Sequence, residues 1–187
     1  MREVKKGKLI LADGSVYEGE FYGKRNAVGE VVFTTGGMCG YQELLTDPTY
    51  CGQIMVLTYP IVGNAGVNNM FNQSRKAYCQ GLVIGELCDY PSNWRSERSF
   101  EDFLDEQDVP TLAGIDTRAI TRKIRDNGVM KGVIVSAEAT QEEIDARVAE
   151  QAKSVSKEVE EYKKGMDPRQ FEYIANSIVV EKLFNFL

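Results

Sequence analysis

The chain has no histidine among its 187 residues, and this absence excludes more chemistry than any other feature of the composition. Mechanisms that rest on an imidazole base, the serine and cysteine triads among them, have no base within these residues. Zinc sets are missing as well. Cys39, Cys51, Cys79 and Cys88 are 12, 28 and 9 residues apart with no C-x-x-C pair, so no metal is expected and the thiols are expected to be reduced and mostly buried. No stretch approaches the roughly 18 consecutive apolar residues of a membrane helix, and the opening MREVKKGKLI has no apolar core of the signal-peptide kind. A cytoplasmic location without membrane contact is the expectation. Positive charge is in short supply, with 22 Lys and Arg against 28 Asp and Glu, a net charge of -6 and a pI near 4.9. That balance gives no footprint for nucleic acid, although a local basic pocket can still sit on an acidic protein.

What is present fits a folded α/β protein. A hydrophobic share of 43% beside 27% charged residues is enough for a packed core, and the length suits one ordinary domain plus an appendage. KLILADGSVYEGEF has an apolar run, an Asp13-Gly14 turn and alternation through Tyr17, Gly19 and Phe21, the pattern of a hairpin. GEVVFTT, QIMVLTYP and GLVIGELC are further short strand patterns bounded by glycine or proline. Four or five strands therefore precede the first convincing helix. Ser99 and Asp102 form a capping-box pattern for a helix to about Gln107. A second helix is expected in GIDTRAITRKIRDNG, capped by Asp116 or Thr117 and stopped at Gly128, and MKGVIVS reads as a closing strand. The composition changes after Ser136: from Thr140 apolar residues recur at spacings of three and four, and a break at Gly165 and Asp167-Pro168 separates two helices.

Several clusters have both a chemical and a structural reading. TTGGMCGYQELLTDPTYCGQ, from Thr34 to Gln53, reads as a strand-to-helix connection followed by an Asp47-Pro48-Thr49 turn that holds a hydroxyl at a loop edge. Within it, GMCG resembles a nucleophile turn. Cys39 nevertheless lacks a base or a basic neighbour in sequence, so an inert residue is the better reading. IVGNAGVNN offers several amides but lacks the lysine and hydroxyl residue of a phosphate loop, and is read as a structured loop. Trp94, the single tryptophan, stands next to Arg95, and this pair is either an interface anchor or a core plug. Arg118, Arg122 and Arg125 follow at spacings of four and three along one helix face, which is either a solvated surface or a dock for acidic groups.

Taken in order, LADGSVYEGE, AVGEVVF, GYQELLTDPTY, GQIMVLTYPIVGNAGVN, QGLVIGEL, PSNWRS, GIDTRAITRKIRDNG and MKGVIVS resemble the amino-terminal domain of the small subunit of glutamine-hydrolysing carbamoyl phosphate synthase. The resemblance covers residues 1 to about 136. It implies a layered β/β/α domain of the swivelling type that packs against the glutaminase domain and the large synthetase subunit. The complete family enzyme, a ligase, hydrolyses glutamine and passes ammonia to carbamoyl phosphate synthesis for pyrimidines and arginine. In the family the hydroxyl residue of the D-P-S-Y turn reaches the glutamine site, and here that residue is Thr49. No cofactor is implied for this part.

The chain departs from the family pattern in four places. Phe33 to Tyr41 takes eight steps where the family's F-N-T-x-M-T-G-Y takes seven, so Gly36 or Gly37 is an apparent insertion beside the Thr49 loop. Phe71 and Gln73 stand where the family carries carboxylates. Nothing corresponds to the glutaminase domain with its cysteine, histidine and glutamate. In its place the last 48 residues, TQEEIDARVAEQ through FNFL, resemble the end of the helical carboxy-terminal region of trigger factor, a ribosome-associated folding chaperone. The domains expected are thus 1–136, synthase-like, and 137–187, a tail of two helices. The function expected is a noncatalytic interface domain. The alternatives are a chaperone-like or self-associating protein acting through its apolar-ended tail, or a functionless truncated or chimeric fragment.

Overall fold

The computed structural model describes residues 5–36 and 38–136; the tail helices, and with them the trigger factor resemblance, lie outside the described residues. The chain opens with the hairpin expected from its sequence, β1 (Lys5–Leu11) and β2 (Val16–Tyr22). Asp13 shapes the turn by accepting the Ser15 amide at 2.9 Å, and Gly14 takes a φ of 83°. β3 (Ala27–Thr34) follows, then a short helix α1 (Tyr41–Thr46), a 3-10 turn at Pro48–Tyr50 and β4 (Gln53–Leu57). Strands β5 (Ile61–Val62), β6 (Gly81–Val83) and β7 (Glu86–Leu87) precede α2 (Phe100–Glu106). β8 (Thr111–Ala113), α3 (Thr117–Asn127) and β9 (Met130–Ser136) complete the described part.

Among the described residues the core is a mixed α/β arrangement dominated by sheet, with few helices. The first helix comes after three strands, earlier than the sequence pattern suggests, because α1 is only six residues long and is sheltered by packing. Seven strands close into a barrel in the order β1-β2-β8-β6-β4-β3-β9, with β9 pairing back onto β1. β3, β4, β6 and β8 run parallel to one another, and β1, β2 and β9 join them through antiparallel pairs.

Strand alternation divides the core in two, since successive side chains point to opposite faces. Ile54 and Val56 of β4, Val83 of β6 and Leu112 of β8 turn inward to join Leu9, Val31 and Ile134. Met55, Leu57, Leu82 and Ala113, one step away on the same strands, turn outward and are covered by Tyr41 and Leu45 of α1 and Phe100, Phe103 and Leu104 of α2. α3 sends Ile120 and Ile124 into the inner cluster. The helix ends follow their sequence signals. Ser99 Oγ accepts the Asp102 amide at 3.0 Å, Asp116 accepts the Ala119 amide at 2.9 Å, and Gly128 ends α3 with a φ of 85°.

The thiols differ from expectation. All four are free, but Cys39 and Cys51 are exposed, Cys88 is intermediate, and only Cys79 is buried. Both exposed ones sit on irregular backbone flanking the short helices, where no sheet covers them. Desolvation pushes the Cys79 thiol up to about 12. Among the described residues no helix is long and apolar enough to cross a membrane, and no group of three or more His, Cys, Asp or Glu gathers in the manner of a metal site.

One long-range tie fastens the first hairpin to α3. Lys123 Nζ donates to Asp13 Oδ2 at 2.6 Å and also contacts Ser15 Oγ. Asp13 is held down to about 2, first by the Lys123 hydrogen bond and then by the Ser15 amide and hydroxyl. A carboxyl lowered on folding stabilises the fold above its unfolded value of about 3.9, and that contribution fades as pH falls from about 4 to about 2. In Asp13→Asn the acid-sensitive part of the unfolding curve should shrink. The urea midpoints of the two proteins should differ by a constant amount above pH 5 and converge near pH 2. The difference should be small because solvent screens the pair. Parallel midpoints across that whole range would show that the tie carries no proton-linked stability.

Candidate functional site

The parallel strands prepare a site at one end of the barrel. Each of β3, β4, β6 and β8 ends beside an open cleft of about 1000 Å³, whose lining includes Thr35, Thr58, Gly85 and Gly114, residues that come just after those four strands. Carboxyl ends of parallel strands are where α/β proteins tend to place ligands, since the loops there converge while the sheet stays rigid. α3 begins directly after β8 and forms one wall. Its Arg118, Arg122 and Arg125 all line the cleft, as do Thr117 and Thr121, while Ile120 and Ile124 face the barrel interior. The arginine spacing noted in the sequence thus becomes one wall with three guanidinium groups. Arg125 pairs with Asp126 at 3.1 Å. Among the described residues neither Arg118 nor Arg122 has an ion-pair partner. Two acidic residues, Glu86 and Asp116, also line the cleft, Asp116 as the cap of α3.

Thr49 lies elsewhere, in the exposed 3-10 turn between α1 and β4. Asp47 organises the turn by accepting both the Thr49 amide at 2.9 Å and the Thr49 hydroxyl at 2.7 Å. These two bonds, the hydroxyl's first, hold the Asp47 carboxyl below its usual range. Because its proton goes to Asp47, the Thr49 oxygen keeps its lone pairs for accepting from another group. Of the apparent insertion, Gly37 lies outside the described residues; Gly36 has nothing within 4 Å of where a Cβ would be, and the Met38 sulfur meets the Tyr59 hydroxyl at 2.7 Å. Cys39, the residue of the nucleophile-like turn, is exposed.

Trp94 and Arg95 form a third location, in the loop between β7 and α2. The indole is 86% exposed, so the core-plug reading fails, and the Arg95 guanidinium lies 4.7 Å from its ring centroid. Neither residue lines the arginine cleft. The structure therefore brings the three helical arginines together and leaves Thr49 and the Trp94-Arg95 pair outside their cleft.

Sequence reasoning missed the residues that hold these loops. Gln42 of α1 is only 2% exposed. Its Nε2 donates to Asn68 O and to Asn72 Oδ1, both at 2.6 Å, and its Oε1 accepts the Asn68 amide at 3.0 Å. Asn68 in turn donates from Nδ2 to Arg95 O at 2.8 Å, so α1 is joined to the Trp94 loop through the IVGNAGVNN segment. That segment is the structured loop its sequence suggested, pinned further by the Val67 amide on Arg98 O at 3.0 Å. A glutamine within an amphipathic YQELL run looks like a surface residue, and no local signal marks it as buried.

Comparison with known proteins agrees with the sequence resemblance. The family model described as "Carbamoyl-phosphate synthase small chain, CPSase domain" matches residues 9–134. The carbamoyl phosphate synthase small chain of Caldanaerobacter subterraneus is 55% identical over 130 residues, which is 69% of this chain and 36% of that protein. The pyrimidine-specific small chain of Bacillus subtilis is 47% identical over 146 residues, 78% of this chain and 40% of that protein. The corresponding pyrimidine-specific chain of Halalkalibacterium halodurans is 50% identical over 140 residues, 74% of this chain and 38% of that protein. The chain thus spans well under half the length of the curated relatives it matches. Its described region, barrel, cleft wall and Thr49 turn included, belongs to the carbamoyl-phosphate synthase small chain family and corresponds to that family's CPSase domain.

Proposed function

We propose that this chain supplies the noncatalytic amino-terminal domain of a glutamine-hydrolysing carbamoyl phosphate synthase small subunit, an interface between a glutaminase domain and the large synthetase subunit. The observation that carries this reading is the family match over residues 9–134, at about half identity to named small chains. We read the fold as a swivelling β/β/α module, with the closed barrel as its sheet part and α1 and α2, packed on the outward face of the strands, as its helical layer. The domain acts in the cytoplasm and needs no cofactor of its own. Two of the relatives are named pyrimidine-specific, which favours pyrimidine supply as the destination of the product.

Thr49 is the residue assigned to glutamine. Its hydroxyl, turned by Asp47, presents lone pairs that suit an amide or ammonium donor on the substrate. The purified chain alone should release no ammonia from glutamine, since it has no histidine to complete a cysteine–histidine pair. Combined with a glutaminase domain and a large subunit, it should support glutamine-dependent synthesis. Thr49→Val, which keeps the shape and removes the hydroxyl, should then raise KM for glutamine about five- to tenfold, the worth of one hydrogen bond. Glutamine turnover by the isolated chain would sink the noncatalytic reading. An unchanged KM in Thr49→Val would remove Thr49 from the glutamine site.

A further inference from the structure

We propose that the cleft walled by Arg118 and Arg122 is where an acidic polypeptide segment of the large synthetase subunit docks. The assignment rests on the interface reading above and adds the face and the chemistry of the contact. Topology shapes the cleft, because four parallel strands end at it and α3 starts there, so its walls are fixed by the barrel. Charge sets the sign of the occupant. Arg118 and Arg122 project exposed guanidinium groups into the cleft and have no carboxylate partner among the described residues, although the chain as a whole carries -6. Guanidinium forks that lack partners are suited to bidentate capture of carboxylate or phosphate.

Spacing separates the two kinds of anion. At about 1.5 Å of rise per residue, Arg118 and Arg122 are about 6 Å apart along the helix and Arg125 extends the row to about 10 Å. A single small anion engages one or two forks and leaves the rest of the row unused. Alternate residues of an extended strand repeat at about 6.6 Å, and positions four apart on a helix repeat at about 6 Å. Both match the first two arginines. Glu86 and Asp116 in the same lining limit how many anionic groups the cleft accepts, which favours a segment with two or three carboxylates over the unbroken charge of a phosphate backbone. The exposed Thr35 adds a hydroxyl that can bond a peptide group between the carboxylates.

The test measures affinity of the full chain for purified large synthetase subunit at low and at physiological salt. R118E/R122E should weaken binding about 30-fold, with most of the salt dependence lost. R118K/R122K, which keeps the charge and loses the forks, should cost less than the reversal, about five- to tenfold, and retain the salt dependence. R75E/K76E, an equal charge change at two exposed positions outside the cleft, should cost less than about threefold. Amide exchange of the barrel strands reports whether each variant is folded. Binding that survives R118E/R122E overturns the cleft assignment alone. Equal losses in R118E/R122E and R75E/K76E also overturn it, by showing a general charge effect. Saturable binding of inorganic phosphate at the cleft, with large-subunit affinity unmoved by the reversal, reassigns the cleft to a small anion. No binding by the unsubstituted chain overturns the interface reading and this inference together.

Discussion

Gly19→Ala should destabilise the domain by about 3 kcal/mol, the upper part of the range for overpacking. An added Cβ there would lie 2.2 Å from the Ala113 carbonyl oxygen and 2.7 Å from Ile115 Cδ1. The isoleucine can rotate away, but the carbonyl is backbone of β8 and moves only if the strand moves. β2 and β8 are joined by three residue pairs, so the strain falls on the contact that closes the barrel between its first hairpin and its parallel strands. Gly36→Ala is the matched control, because nothing lies within 4 Å of its Cβ position. It should change stability by less than about 0.5 kcal/mol. Urea unfolding of the two variants, with amide exchange at Phe21 and Leu112 as a local probe, gives the comparison. Equal midpoints would mean that β2 and β8 are not held as closely as described.

The same glycine shows where the sequence is legible. Its hairpin is written locally, in Asp13-Gly14 and in the alternation after it, and the capping residues Ser99 and Asp116 likewise mark α2 and α3. These signals survive because each depends on neighbours within four residues. Closure of the barrel depends on β8, three residues long, whose pairing with both β2 and β6 brings together segments far apart in sequence. A TLA triplet has no pattern of its own that a periodicity argument could detect. The candidate site divides in the same way. The row of arginines is visible from the helical repeat of α3, but the opposing Thr35, Thr58 and Gly85 are gathered only by parallel register. Trp94 illustrates the reverse failure, since a lone tryptophan fits a core as well as a surface until burial decides.

Removing the Gln42 side chain should have an effect of similar size but with a different distribution. Gln42→Ala leaves Asn68 O and the Asn68 amide without their partner at a buried position, each orphan costing about 1–3 kcal/mol, so a total near 3 kcal/mol is expected. The loss is local, because Gln42 ties α1 to the 68–73 segment and no barrel strand takes part in its bonds. Thr46, whose Oγ1 accepts the Gln73 amide at 2.9 Å, is the second tie and keeps the segment from detaching fully. Amide exchange should therefore rise at Asn68 and Phe71 while Gln73, Ile54, Leu82 and Ile134 stay protected. Gln42→Glu sharpens the argument, since an ionised carboxylate can accept from the Asn68 amide but cannot donate to Asn68 O or Asn72 Oδ1. It should resemble the alanine variant at neutral pH and recover part of the protection when acidified enough to restore an O–H donor. Because Asn68 also holds Arg95 O, both variants should loosen the Trp94 loop and lower the fluorescence anisotropy of the single tryptophan. Uniform loss of protection through the barrel would show instead that this network supports the whole domain.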